Sequence, residues 1–212
     1  MAEGGRNVSD PAFWDEHYRR GDTGWDLGQA APSLVAWLAG PEAPPPGRRV
    51  AVLGCGYGHE VLLFARAGHV VTGFDFSATA LAVARERTEA ARVVARFEQA
   101  DIFTLPARYK GGVDLVVEHT CFCAIDPTRR AEYVEVVYDV LAPGGQLVGL
   151  FYAHGQPGGP PFTTSQEEVD RLFSPHFAIR RLEVALDSTP RRANQEILAV
   201  LVKGYSFAQA AS

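Results

Sequence analysis

Three apolar runs end in residues suited to holding a ligand. Val50-Ala51-Val52-Leu53 leads into Gly54-Cys55-Gly56-Tyr57-Gly58, the run from His69 to Phe74 into Asp75 and Phe76, and the run from Val94 to Ala100 into Asp101 and Ile102. Alternate glycines permit backbone angles closed to other residues and let a ligand approach the main chain without meeting a side chain. A strand that ends in such a turn places its ligand beyond the carboxyl end of a sheet. Asp75, 17 residues after Gly58, can accept both hydroxyl hydrogens of a ribose. Asp101 can take an adenine amino group while Ile102 packs on the ring. Taken singly, each feature also fits a plain turn or strand end. Together they point to an adenosine ligand, with Cys55 read as a small side chain within the turn. The third glycine comes one residue too early for the Gly-x-Gly-x-x-Gly dinucleotide pattern, and no phosphate-loop lysine follows, so a ligand without pyrophosphate is favoured and hydride chemistry disfavoured.

The elements that must carry these residues alternate regularly. Asp10-Pro11 offers a cap and a first-turn proline for a helix bearing Phe13, Trp14, His17 and Tyr18. Gly21 to Gly28 reads as a loop, and Pro32 to Leu38 as a short helix. Pro41 to Gly47 breaks the chain between this extension and the main domain. The chain then divides into a tail over 1–9, a helical or lid extension over 10–47, a main domain over 48–205 and a tail over 206–212. Within the main domain, strands are expected over Arg49–Leu53, His69–Asp75, Val94–Ala100, Val113–Glu118, Gln146–Tyr152, Phe177–Leu186 and Glu196–Lys203. Helices are expected over His59–Ala67, from Ser77 to about Ala91, from Asp126-Pro127 through Leu141, and near Ser165–Phe173. Tyr133, Val134, Val137, Val140 and Leu141 line one face of the third of these, and Pro143-Gly144-Gly145 is expected to stop it. Strands alternating with helices favour a mostly parallel sheet covered on both faces.

At 212 residues, 47% hydrophobic and with a net charge of -5, the chain suits one folded α/β domain with an extension. That charge gives no general attraction to nucleic acid or anionic membranes, and no apolar run is long enough to span a bilayer. The N-terminus lacks the basic and apolar segments of a secretory signal. Three cysteines make a poor disulfide framework, which places the protein in a reducing cytoplasm. No assembly signal is visible, and a monomer is the working expectation.

Beyond the glycine turn, the sequence resembles the class I methyltransferases, and more narrowly the thiopurine S-methyltransferase superfamily with its thiol and halide methyltransferase branch. The resemblance covers roughly Ala12 to Lys203. It rests on Phe13-Trp14-x-x-x-Tyr18, Gly24-Trp25-Asp26-Leu27-Gly28, Leu53-Gly54-Cys55-Gly56-Tyr57-Gly58, the segment from Phe122 to Tyr133, Pro143-Gly144-Gly145 and Gly158-Gly159-Pro160-Pro161-Phe162. It implies a Rossmann-like α/β fold, a seven-stranded sheet in the order 3-2-1-4-5-7-6 whose last strand is antiparallel, and S-adenosylmethionine as cofactor. By the same resemblance Trp25 lies near the cofactor, Gly54 and Gly56 line its methionine portion, Asp75 binds ribose, Ile102 borders adenine, and Arg130 matches an arginine near the acceptor. Trp14, Cys55, Gly58, Phe76, Asp101 and Glu118 complete the expected cofactor set.

Methyl transfer from a sulfonium needs the acceptor held in line and water excluded. A thiol ionises readily and a halide needs no deprotonation, so the absence of an evident strong base or metal constellation suits a small soft acceptor: a thiol, a halide or a reduced chalcogen species. Arg130, Tyr18 and Tyr152 are the candidate acceptor-positioning residues, with a solvated helix arginine and packed tyrosines as the plainer alternatives. His17 and His119 are candidate proton acceptors for a neutral thiol, or structural histidines. Cys121 and Cys123, two apart on an expected strand, read as core. The alternative functions are a nicotinamide-dependent oxidoreductase and a noncatalytic adenosine-ligand binding protein.

Overall fold

A computed structural model of the protein describes residues 7–204; the expected C-terminal tail and residues 1–6 of the N-terminal tail lie outside the described residues. Alternation builds the core. In β1 (Arg49–Leu53) Val50 and Val52 face one side of the sheet, while Ala51 and Leu53 face the other, and all four are buried. β4 (Val113–His119) divides Leu115 and Val117 from Val116 in the same way, and β7 (Glu196–Lys203) divides Leu198 and Val200 from Ile197, Ala199 and Leu201. Strands apolar on both sides must be covered on both, and they are.

The sheet is completed by β2 (Val70–Asp75), β3 (Arg96–Gln99), β5 (Leu141–Tyr152) and β6 (Phe177–Val184), in the order β3-β2-β1-β4-β5-β7-β6. β7 alone runs opposite to the other six strands, antiparallel to both β5 and β6. The order and the reversed strand are those implied by the sequence resemblance. Packed against the sheet or leading into it are α1 (Pro11–Arg20), α2 (Pro32–Leu38), α3 (His59–Arg66), α4 (Ala78–Ala90), α5 (Pro106–Tyr109), α6 (Arg130–Val140) and α7 (Gln166–Phe173). Asp10 caps α1 through the Ala12 amide and Ser77 caps α4 through the Ala80 amide, as the cap signals predict.

Several expectations are corrected. Within the expected N-terminal tail, Val8 is buried and its carbonyl accepts from Trp14 Nε1 at 2.8 Å. The long helix begins at Arg130, preceded by a tight turn over Pro127–Arg129 that Asp126 caps. Pro143-Gly144-Gly145 does not end that helix but bulges out of β5: Val113 pairs with Leu141 and Leu115 already with Gln146. Proline lacks a ladder donor and Gly144 takes φ +74°, which explains the bulge. β3 is shorter than expected because Val94 is exposed and unladdered. Cys121 and Cys123 lie beyond β4, around a tight turn over Phe122–Ala124, not on a strand.

Candidate active site

The carboxyl ends of β1, β2 and β4 open on one cleft, the largest part of which is a cavity of about 170 Å³. Its floor includes Gly54, Asp75, Phe76, Ala100, Ile102 and Cys121, and its roof Phe13, Trp14, Tyr18 and Trp25 from the extension. A smaller lobe runs on past Gly54, Cys55 and Gly56 beneath Asp26, Leu27 and Gln29. The glycines are forced. Gly54 has φ +59° and a Cβ there would lie 2.9 Å from Cys121 Cβ; Gly56 has φ +49° and its Cβ would lie 2.8 Å from the Tyr18 hydroxyl. Gly58 serves packing instead, with a Cβ falling 2.9 Å from that of Ala84 on α4.

Asp75 lines the cavity at the end of β2. Oδ2 accepts from Gly56 N and Oδ1 from Ser77 N, each at 2.8 Å, and a carboxylate of this kind has lone pairs beyond those the backbone takes. Burial pushes its pKa up to about 6 in spite of those amides. Asp101 sits between two cavity residues, Ala100 and Ile102, but one of its oxygens caps the following turn through the Phe103 amide. Cys55 lines the smaller lobe with its thiol pKa raised by burial.

The extension is a roof. Trp14 and Trp25 meet edge to face at 5.5 Å, and Trp25 Nε1 donates to the Tyr18 hydroxyl at 3.3 Å. Burial raises the Tyr18 pKa, so it remains a neutral hydroxyl. Asp15 docks α1 onto the start of α4, accepting from the Ser77 hydroxyl at 2.6 Å and the Thr79 amide at 3.1 Å, and these bonds lower its pKa to about 2.

Other expected site residues stand elsewhere. Arg130 is buried, ion-paired with Glu168 at 2.7 Å, and donates to the Phe162 and Thr163 carbonyls. It holds up the loop whose Pro160 and Pro161 wall the cavity, and it is the adjacent Arg129 that lines the opening. The turn before α6 sets this phase. Tyr152 donates to Gln195 Oε1 at 3.2 Å, off the cavity lining. Glu118, fully buried, accepts from the Cys121 and Phe122 amides and from the Tyr133 hydroxyl; burial raises its pKa to about 7. His17 lines the cavity with Nδ1 at 3.1 Å from Asp22. His119 faces the smaller lobe, bonded through Nδ1 to Glu60; burial opposes its charge, but Glu60 turns the net shift upward.

Sequence reasoning missed Phe103, Thr120 and Arg129 on the cavity lining. Of these only Thr120 carries a local signature, φ +64° for a β-branched residue at the strand end, and this shows only in the backbone.

The fold, the glycine turn and the carboxylate after β2 define a class I S-adenosylmethionine-dependent methyltransferase. The family model for thiopurine S-methyltransferase matches residues 9–206, and the chain belongs to that family. It is 32% identical over 189 residues to thiocyanate methyltransferase 1 of Arabidopsis thaliana, covering 87% of this chain and 82% of the relative. It is 28% identical to a thiopurine S-methyltransferase of Methylococcus capsulatus over 92% of this chain and 96% of that one. Among solved structures, Burkholderia thailandensis 1,6-didemethyltoxoflavin-N1-methyltransferase with bound S-adenosylhomocysteine shares the fold at a TM-score of 0.69 and 18% identity, over 96% of this chain and 91% of that one. Family membership sets aside the nicotinamide reading.

Proposed function

We propose that the protein methylates a small soft anion: a thiolate, thiocyanate, a halide or a reduced chalcogen. The observation that carries this is the composition of the cavity beyond the cofactor turn. Aromatic rings, prolines and protonated thiols wall it, with Arg129 at its opening. Burial pushes Cys123 up to about 12 and raises Cys121 as well, so neither thiol competes as a nucleophile. One oxygen of Asp126 accepts from both the Thr128 amide and hydroxyl, bonds that hold its pKa below the ordinary carboxylate value and make it a weak base, and Glu118 is sealed below. His17 is the one imidazole on this wall, and it is turned toward Asp22. Such a largely apolar wall, whose one imidazole is His17, suits an acceptor that is already anionic or a thiol that ionises readily.

Gly54 and Gly56 give the cofactor's methionine end access to the main chain, Asp75 has lone pairs for two ribose hydroxyls, Phe76 and Ile102 flank the base, and Asp101 has an oxygen left for its amino group. When bound, S-adenosylmethionine supplies an electrophilic methyl carbon on sulfonium. Trp14 and Trp25 close over it, and Tyr18 adds a neutral hydroxyl where the two lobes meet. Arg129, paired with Glu132 at 2.8 and 2.9 Å and 3.5 Å from the centre of the Phe103 ring, keeps its charge partly compensated and gathers the anion without ion-pairing it so tightly that its nucleophilicity is lost. Arg130 acts through the loop it supports. We place this activity in a reducing cytoplasm, in a monomer; all three cysteines are free, and among the described residues no helix is long and apolar enough to cross a membrane.

The test is competition at equal concentrations of a thiol, thiocyanate, iodide, bromide, chloride and a thiopurine with labelled S-adenosylmethionine. Methylation of the thiol, thiocyanate or iodide is expected. Exclusive turnover of an oxygen or nitrogen acceptor would refute the assignment.

A further inference from the structure

The strap from Trp25 to Ala31 joins the α1 region to α2 and covers the smaller lobe, yet contains no helix or strand of its own. Besides the Trp25 contacts with α1, three anchors impose its position from outside. Arg192 donates to the Trp25 carbonyl at 2.6 Å, His59 Nε2 meets Asp26 Oδ1 at 3.0 Å, and Glu60 accepts from the Ala31 amide at 3.1 Å.

The first and last anchors belong to a single buried network. Glu60 Oε1 accepts from His119 Nδ1 at 2.9 Å; His119 Nε2 lies 3.0 Å from Arg192, and the same guanidinium nitrogen donates to Glu196 at 3.1 Å. A guanidinium has no lone pair, so this contact needs Nε2 as the acceptor with the ring proton on Nδ1, against the upward pull of Glu60 on the imidazole's pKa. All four side chains are less than 10% exposed: Glu60 9%, His119 8%, Arg192 6% and Glu196 2%. They come from the start of α3, the end of β4, the tight turn over Pro190–Arg192 and the start of β7. Burying one cation and two carboxylates is a poor way to gain stability, since apolar side chains of the same volume serve a core at least as well. What this network does that apolar side chains cannot is hold two main-chain polar groups at opposite ends of the strap.

We propose that Glu60, His119, Arg192 and Glu196 are positioning residues that latch the Trp25–Ala31 strap over the cofactor and set how long it is retained. This rests on the cofactor cleft assigned above. The latch joins the strap to the glycine turn, because His59 and Glu60 directly follow Gly58, and to the distant loop between β6 and β7. The lid therefore closes on a surface built from both ends of the domain.

The test is the release rate of S-adenosylhomocysteine, followed by tryptophan fluorescence in a stopped-flow instrument, for the wild type and two variants. The double variant R192Q/E196Q removes one positive and one negative charge together. R192K keeps the charge that balances Glu196 but loses the planar fork that reaches His119, Glu196 and Trp25 at once. Both are expected to release the product at least tenfold faster and to raise the cofactor KM by a similar factor, with kcat within threefold and the melting temperature within a few degrees. Release within twofold of the wild type in either folded variant overturns the latch. Amide hydrogen exchange over Trp25–Ala31 in the ligand-free protein gives a second reading: faster exchange confined to the strap is expected, and unchanged exchange overturns the proposal. Failure of the wild type to bind S-adenosylhomocysteine would remove the cofactor assignment instead, and the exchange measurement would still decide the latch.

Discussion

Replacing Asp75 with asparagine separates the cost of the buried carboxylate from its use. In the ligand-free protein burial holds its pKa at about 6, against an ordinary 3.8. That gap corresponds to about 3 kcal/mol of stability that is present below the unfolded value, is lost as pH rises through 6, and is absent at neutral pH. Asparagine removes this cost. It also turns one acceptor into a donor facing Gly56 N–H or Ser77 N–H, a mismatch of about 1–3 kcal/mol. The two effects nearly cancel, so the melting temperature of ligand-free D75N should stay within about 5 °C of wild type. Binding has no such compensation. Hydrogen bonds from two ribose hydroxyls to a charged acceptor contribute about 1.5–3 kcal/mol each, and weakening them should cost about 2–4 kcal/mol, or about 30- to 1000-fold in affinity. Calorimetric titration with S-adenosylhomocysteine measures this at pH 8. The same titration down to pH 5 should show wild-type affinity level above pH 7 and falling toward tenfold per pH unit below about 6, with D75N flat throughout. Binding by D75N within threefold of wild type, or wild-type affinity unchanged at pH 5, would refute the ribose assignment.

Four further outcomes are expected. Glu118→Gln keeps an acceptor for the Cys121 and Phe122 amides and relieves a carboxylate whose pKa is raised by burial to about 7; thermal melts at pH 8 should show a gain of about 1–3 kcal/mol that fades as pH falls through 7 and vanishes below the ordinary carboxylate range. Asp15→Ala should loosen α1 from α4, weakening S-adenosylhomocysteine about three- to tenfold by fluorescence titration. Since the side chain is 27% exposed, it should cost only about 1 kcal/mol of stability; the wild-type share of that is present above pH 4 and lost as pH falls toward 2. Arg129→Ala should raise the KM for thiocyanate or iodide about tenfold with kcat within threefold, whereas Arg130→Ala, which abandons Glu168 and two loop carbonyls, should lower stability by about 3 kcal/mol in denaturant melts.

The glycine turn, Asp75 and the strand pattern were legible because backbone freedom and alternating burial are written in residue type and spacing. Glu118 and His119 were not separable in that way. Both end β4, and only the pleat decides that one is sealed against Tyr133 while the other faces the smaller lobe. Arg129 and Arg130 exchanged their expected places because a tight turn, not a helical one, precedes α6. Asp101 was placed correctly at the end of β3, but its competing use as a turn cap depends on a local bend that the sequence shows only weakly. Arg192 was invisible, since it lies in an unpatterned loop and meets Trp25 across 167 positions of chain. Its role comes from the sheet order alone.

The antiparallel insertion of β7 has a consequence for how the molecule comes into being. The strand that fills the slot between β5 and β6 is the last of the seven to be synthesised, and Arg192 and Glu196 emerge with it. While the chain is still growing on the ribosome, β5 presents an open apolar flank and the strap lacks its Arg192 anchor. Competence to retain a nucleoside should therefore arrive abruptly, with the last few residues of the sheet, and a nascent chain stopped short of residue 196 would have its glycine turn in place yet let the ligand escape.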